Sequence, residues 1–324
     1  MCAQQTILSN CSTDALADAA AKLRAGGLVA FPTETVYGLG ADATNERAVA
    51  RIYEVKGRPN DHPVIVHLAD INQLDEWVVD IPDYAIALAR TFWPGPMTLI
   101  LPRSAKAADF ITGGQESVGI RIPKNPLALT LIKLAGVGIA APSANRFGAI
   151  SPTSARDVQE EIGAFLNPTT DLILDGGSSQ VGVESTIIEC LGARPKILRP
   201  GAITQEMIEE VTGLTIDESS STIRASGTLE QHYAPRAKVH LIDINKPTSE
   251  VAAESGFLAL AEIQTPAGFV RLGQPRDVEE YAHQLYKALR EADRQGLSHI
   301  YVIPPLGAGL AKAICDRLKR ASKI

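Results

Sequence analysis

Val64-Ile65-Val66-His67-Leu68, Met97-Thr98-Leu99-Ile100-Leu101 and Val118-Gly119-Ile120-Arg121-Ile122 follow one another along the chain as short apolar runs rich in β-branched residues. Each has the length and composition of a buried strand. Working outward, Leu28-Val29-Ala30-Phe31 reads as a strand closed by Pro32, and further strands are predicted over 137–141, 172–174, 185–188 and 197–198. Helices are fewer. Ser12 or Thr13 caps a first one, with Leu16, Ala19, Ala20 and Leu23 on one face and Gly26-Gly27 ending it. A second spans roughly 44–55 and delivers Lys56 and Arg58 just past its C-terminus. Others are predicted over 126–134 and from 204 to about 211. Strands outnumber helices and βαβ alternation is scarce, so this part of the chain is expected to be α+β, built on a twisted, largely mixed sheet.

The pattern lapses between 213 and 237. Asp217-Glu218-Ser219-Ser220-Ser221-Thr222 is small and polar, and Ala225-Ser226-Gly227-Thr228 adds flexibility, so the segment reads as a linker. It ends on the aromatic and stiff His232-Tyr233-Ala234-Pro235. Beyond it, strands at Val239-His240-Leu241-Ile242, Phe257-Leu258-Ala259-Leu260 and Ile300-Tyr301-Val302-Ile303 surround a long helix over 278–294, and a last helix runs from 308 to about 320. That alternation predicts a smaller, open α/β, Rossmann-like domain with a parallel core. A chain of 324 residues suits two domains. The expected division is 1–212, a linker over 213–237 that covers the active site, and 238–324.

Apolar residues form 45% of the chain and charged residues 21%, as in an ordinary globular protein with ample core material. A formal charge of −6 argues against a broad electrostatic grip on nucleic acid. No apolar run is long enough to span a bilayer, and Met1-Cys2-Ala3-Gln4-Gln5 lacks the features of a secretory signal. Cys2, Cys11, Cys190 and Cys315 are scattered without the paired spacing of zinc sites or disulfide scaffolds. They are read as free thiols in a reducing cytoplasm.

Lys56-Gly57-Arg58-Pro59 places two cations one residue apart beside a proline, an arrangement suited to a polyphosphate; the alternative is simple capping of a helix C-terminus. Ser143-Ala144-Asn145, after an apolar strand, is either a turn or a polar end-group for a nucleotide. Ser151-Pro152-Thr153-Ser154 reads as a helix N-cap with proline near N1, and such a terminus also attracts phosphate. Thr35 and Tyr37 sit at a loop edge before Gly38-Leu39-Gly40. His67 is either a core histidine or a site residue. Arg121 faces opposite to Val118, Ile120 and Ile122, as a surface arginine or a carboxylate clamp. Phosphate-loop, dinucleotide, nucleophile-elbow and zinc-protease motifs do not occur.

Together, Phe31-Pro32-Thr33-Glu34-Thr35-Val36-Tyr37-Gly38-Leu39, Lys56-Gly57-Arg58-Pro59, Trp93-Pro94-Gly95-Pro96, Pro142-Ser143-Ala144-Asn145, Glu184-Ser185-Thr186, Arg199-Pro200-Gly201 and His232-Tyr233-Ala234-Pro235 resemble the Sua5/YrdC family in its two-domain Sua5 form. The resemblance implies a YrdC-like catalytic domain with a concave substrate face, followed by a Sua5 C-terminal domain. The implied activity is a nucleotidyl transfer: L-threonine, bicarbonate or CO₂, and ATP give L-threonylcarbamoyl-AMP and pyrophosphate. The product serves formation of N6-threonylcarbamoyladenosine at position 37 of tRNA. The same resemblance assigns catalysis to Lys56 and Arg58. It places ATP among Lys56, Arg58, His62, Ser117, Ser143, Asn145, Ser151, Arg199 and Tyr233, and threonine among Thr35, His67, Arg121, Ala141 and Ser185. His62 stands where the family usually has asparagine. No carboxylate cluster suggests a metal held by the protein, so Mg²⁺ would ride on the nucleotide phosphates. Implied partners are the downstream tRNA threonylcarbamoyl-transfer proteins and a weak contact with tRNA. A second reading is an RNA-binding module without catalysis. A third, carbamoyl transfer in hydrogenase maturation, calls for an acylphosphatase-like domain and paired-cysteine zinc motifs, which the sequence lacks.

Overall fold

The three central strands do lie in one sheet, but not in chain order. A computed structural model of the protein describes residues 7–9, 12–227, 233–243 and 254–323. Cys2, Cys11 and His232 lie outside the described residues. The first sheet contains β1 (Ile7–Ser9), β2 (Val29–Pro32), β3 (Tyr37–Asp42), β4 (Ile65–His67) and β5 (Met97–Pro102). It continues with β6 (Ser117–Arg121), β7 (Ile139–Ala140), β8 (Leu172–Asp175), β9 (Thr186–Glu189) and β10 (Lys196–Arg199). Their spatial order is β1-β8-β2-β3-β7-β4-β6-β5-β9-β10. The sheet is mixed: β4 runs parallel to β6 and β5 to β9, whereas β2–β3 and β5–β6 are antiparallel.

The helices of this unit are α1 (Thr13–Arg24), α2 (Glu46–Lys56), α3 (Leu74–Trp77) and α4 (Asp83–Phe92). They are followed by α5 (Asp109–Thr112), α6 (Pro126–Ala135), α7 (Ala155–Ile162) and α8 (Gln205–Thr212). Alternation along the strands separates two faces. Val66, Leu99, Ile120 and Ile188 join the larger core with residues of α2, α4 and α8. On the other face, Val29, Phe31 and Ile139 pack with α1 and α6, while Ile65, Ile100 and Ile187 pack with Ala225 of the linker. The candidate site opens between these two patches.

Tyr37-Gly38-Leu39-Gly40, expected as a loop edge, is strand β3. Its glycines weaken the strand signal, yet the packing requires one of them. A Cβ at Gly40 would meet Phe31 Cε1 at 2.7 Å and Ile139 Cγ2 at 2.8 Å. The N-cap before α7 also differs from expectation. Ser154, not Ser151, caps it, in a reciprocal box with Asp157.

The second sheet is wholly parallel: β11 (Lys238–Leu241), β12 (Ser255–Leu258), β13 (Phe269–Gly273) and β14 (His299–Val302), in the order β11-β14-β12-β13. Helices α9 (Val278–Arg294) and α10 (Leu310–Ala321) cover one face. Their core cluster also takes in Val36, Ile150, Val183 and Tyr233, so the two units share packed side chains.

The segment after α8 was expected to be flexible spacer. Its described part is instead strapped onto the first sheet. Asp217 pairs with Lys196 at 3.5 Å and Arg224 with Asp61 at 3.2 Å. Arg224 also donates to the Gly113 carbonyl at 2.6 Å, and its own N–H reaches Gln115 Oε1 at 2.7 Å. Ile223 and Ala225, apolar residues among polar neighbours, provide the contact with the sheet. No helix among the described residues is long and apolar enough to cross a membrane.

Candidate active site

The ends of β4, β6 and β9, the turn after β2 and the linker enclose a cavity. All five residues assigned to threonine by resemblance line it: Thr35, His67, Arg121, Ala141 and Ser185. Four of the nucleotide set join them there, namely Arg58, Ser143, Arg199 and Tyr233. Thr33, Glu184, Ser226 and Gly227 complete much of the wall.

The turn after β2 is fixed by Thr33. Its Oγ donates to the Val36 carbonyl at 2.6 Å, accepts the Thr35 N–H at 3.2 Å, and lies 2.8 Å from Thr35 Oγ. Thr35 is thereby presented to the cavity. Alternation along β6 puts Arg121 on the cavity face, opposite Val118 and Ile120, as expected. The guanidinium donates to Glu34 Oε1 at 2.7 Å, and the other oxygen of that carboxylate accepts the Lys124 N–H at 3.0 Å. Arg121 Nε is buried and makes no hydrogen bond. His67 is 3% exposed. Burial first, and the Arg121 cation second, push its pKa down to about 3, so the imidazole is neutral at ordinary pH.

Across the cavity, Arg199 donates through Nε and Nη2 to the Ser185 carbonyl at 3.1 and 2.9 Å, and through Nη1 to Ser226 O at 2.8 Å. Ser185 Oγ lies 2.8 Å from Thr98 Oγ. Arg58 donates to Pro63 O at 2.8 Å and to Ser226 Oγ at 3.3 Å, while its buried Nε has no partner. Burial is the main cause that lowers the Arg58 pKa to about 10, and Arg199 adds repulsion. Both cations therefore pay a desolvation cost that an incoming anion would relieve.

Five predicted nucleotide residues do not line this cavity. Lys56 is fully buried, and its Nζ donates to Ser143 O at 2.6 Å and Asn145 O at 2.5 Å. Burial holds its pKa well below the usual lysine value, with Arg58 adding to the effect. Asn145 orders the same loop, its amide donating to Arg146 O at 2.7 Å and Ala149 O at 2.8 Å. Ser151 donates to Glu184 Oε1 at 2.5 Å. Ser117 lines a small adjacent apolar hollow with Ile65, Ile100 and Ala225, its buried Oγ unpaired. The His62 ring packs edge-on to Phe147 at 5.4 Å between centroids. Its pKa is lowered, by burial first and then by Arg58.

Two acids went unread in the sequence. Glu34 orients Arg121, and Glu184 gathers Ser151, Tyr286 and Arg317. Each stood inside a quoted motif, and an acid flanked by strand residues was the available signal. Arg317 falls on the inward face of α10 with Ala313, Ile314, Leu318 and Ala321, where helical periodicity could have found it.

A family model described as "Telomere recombination" matches residues 21–201, and one described as "Threonylcarbamoyl-AMP synthase, C-terminal domain" matches 203–323. The chain is 41% identical to a threonylcarbamoyl-AMP synthase of Pyrococcus abyssi, covering 94% of this chain and 93% of that protein. It is also 41% identical to one of Bacillus subtilis, covering 95% and 92% respectively. A crystal structure of P. abyssi Sua5 complexed with L-threonine superposes with a TM-score of 0.86 at 40% identity, covering 98% of this chain and 96% of that one.

Proposed function

The chain belongs to the Sua5/YrdC family, and from that premise we propose that it synthesises L-threonylcarbamoyl-AMP from L-threonine, bicarbonate or CO₂, and ATP. The product feeds the N6-threonylcarbamoyladenosine modification of tRNA. One observation carries the reading: the five side chains suited to an amino acid and two further buried arginines, Arg58 and Arg199, converge on a single cavity beneath Tyr233. The arginines are turned into that cavity instead of forming a surface track, which gives no support to an RNA-binding module without catalysis.

The reaction class is nucleotidyl transfer. Threonine's amine and CO₂ form a carbamate with loss of a proton. A carbamate oxygen attacks the α-phosphorus, the bond to the β-phosphate oxygen breaks, and pyrophosphate leaves. No covalent protein intermediate is needed, because alignment of two bound reactants lowers the barrier. Arg121, held by Glu34, takes the threonine carboxylate. Neutral His67 hydrogen-bonds without adding charge beside Arg121. Arg58 and Arg199 stabilise charge on the phosphates. Lys56 contributes by holding the carbonyls of Ser143 and Asn145, which sets the loop that presents Ser143.

Mg²⁺ fits this site only through the nucleotide. The cavity's carboxylates are engaged, Glu34 with Arg121 and Glu184 with Arg317, so phosphates and water would hold the ion, and it would supply further charge neutralisation. We assign the catalytic domain to 1–212, the linker to 213–237 and the C-terminal domain to 238–324. The packing of Ile208 of α8 into the first core supports the first boundary. A cytoplasmic location and hand-over to tRNA threonylcarbamoyl-transfer proteins complete the proposal. Incubation with ATP, labelled threonine and bicarbonate should yield threonylcarbamoyl adenylate and pyrophosphate in equal amounts. Pyrophosphate without adenylate, or neither product, overturns it.

A further inference from the structure

Of the two glycines inside β3, Gly40 is explained by Phe31 and Ile139, whereas nothing among the described residues demands the other. Gly38 does not lie in the left-handed region, so its backbone suits any residue. Its pairing with Phe31 of β2 and its bridge to Ser143 use backbone groups alone. The nearest atom that a Cβ at Gly38 would meet is 3.3 Å away, against 2.7 Å at Gly40. Alanine would also strengthen a strand that glycine weakens. Yet Gly38 stands on the cavity wall. A strand glycine that neither turns the chain nor makes room for a neighbour marks a place where a ligand approaches the backbone.

The missing side chain would point into one corner of the cavity. Its nearest atoms there are Ala141 Cβ at 3.3 Å, Phe31 Cζ at 3.7 Å and Pro142 O at 3.7 Å. The Phe31 ring stands edge-on to His67, with centroids 6.4 Å apart. Carbon thus forms most of this corner, in a cavity whose other walls carry Thr35, Arg121, Ser185 and Arg199. Such a corner takes an apolar group. Its place beside Ala141 and His67 puts that group at the amino-acid end.

We propose that Gly38 is a specificity-determining residue for the amino-acid side chain: with Ala141 it forms a corner that receives the γ-methyl of threonine and so separates threonine from serine. This rests on the functional reading above and names how that site measures its substrate. One methyl in an apolar pocket is worth about 10- to 200-fold in discrimination. The Cβ introduced by Gly38→Ala occupies the space that the methyl needs. Threonine therefore loses more than serine, which has no methyl to place.

The test uses the full chain, wild type and Gly38→Ala, with ATP, bicarbonate and either L-threonine or L-serine. It measures kcat/KM for each amino acid from adenylate formed, and the KM for ATP. Wild type should favour threonine over serine by at least about tenfold. Gly38→Ala should lower that ratio about tenfold, by loss on threonine, while serine turnover and the KM for ATP stay within about threefold of wild type. Equal losses on both amino acids, as from a distorted strand, overturn the proposal. So does an unchanged ratio, and so does a raised KM for ATP with the ratio kept, which assigns the space to the nucleotide. Should Gly38→Ala fail to fold, Ala141→Val fills the same corner from the facing segment and carries the same comparison. Wild-type protein that makes no adenylate from either amino acid brings down the functional reading itself. Equal kcat/KM for the two amino acids in wild type brings down only the role of Gly38.

Discussion

Replacing His67 by asparagine isolates a pH-dependent share of stability that the fold assigns to one buried imidazole. In an unfolded chain a histidine takes up its proton near pH 6.5. In the folded protein, burial and the neighbouring Arg121 delay that event to about pH 3. Between these values the unfolded state binds a proton that the folded state does not. Stability from this source is therefore intact above pH 6.5 and falls as the pH drops, by about 1.4 kcal/mol per unit. Integrated from pH 6.5 to 5.0 the loss is roughly 1.6 kcal/mol. His62 and His240 are shifted in the same direction, by burial first, and carboxylates begin to titrate at the lower end. Subtraction of the variant removes these common contributions. The assay is urea unfolding of wild type and His67→Asn at several pH values across that window. Wild type should lose about 1.6 kcal/mol more than the variant. Parallel slopes would mean that the folded imidazole titrates normally and that its neutrality in the site is wrong.

Arg58→Ala should lower kcat/KM on the order of 10² to 10³, the cost of removing one preorganised donor, while thermal stability stays close to wild type; normal pyrophosphate release refutes the assignment. Lys56→Met should behave differently, because it strands two carbonyls in a buried loop. A loss of about 2–4 kcal/mol in unfolding free energy is expected, and an unchanged melting temperature with only a raised ATP KM would make Lys56 a phosphate ligand instead. Valine should turn over at least about 100-fold more slowly than threonine under saturating ATP, since it leaves the polar groups facing the hydroxyl unpaired. Equal turnover means that the amino-acid end of the cavity has been misread.

Much of the cavity was legible because its residues sit inside or beside the motifs that carry the family resemblance. The strand pattern put Arg121 on the face opposite Val118 and Ile120, and the fold keeps it there. Lys56 and Arg58 illustrate the limit. Spacing alone makes them a pair, yet the helix continues through Lys56 and ends at Gly57, whose φ of 61° turns the chain. One cation is thus sent under the Ser143 loop and the other into the cavity. Two-residue spacing cannot report that separation. Strand β3 was missed for a related reason: the pressure to place glycine at position 40 comes from Phe31 and Ile139, distant in sequence. The linker misled through composition. Its polar residues are solvated or tied to Lys196, Glu189 and the cavity arginines, and the apolar contact with the sheet rests on Ile223 and Ala225, too few to register as an apolar pattern.

On the functional reading proposed above, the strap and the nucleotide would draw on the same side chains. Arg58 donates to Ser226 Oγ, and Arg199 donates to Ser226 O. Neither guanidinium pairs with a carboxylate within the cavity. Glu184, whose charge acts on Arg199, commits its oxygens to Ser151, Tyr286 and Arg317. Arginines left with neutral acceptors in a buried space carry an unbalanced positive potential. Burial first lowers the pKa of both, and a second arginine adds repulsion to each, Arg199 to Arg58 and Arg317 to Arg199. A polyphosphate cancels that potential far better than one serine can. On the functional reading proposed above, a phosphate oxygen approaching Arg58 Nη2 would share or replace Ser226 Oγ. The Tyr233 ring keeps its own contacts, with Tyr286 and the Arg317 guanidinium. On that reading, entry and charge neutralisation would both run through Arg58 and Arg199. The bonds that an incoming phosphate would compete with are those at Ser226, 3.3 Å from Arg58 and 2.8 Å from Arg199.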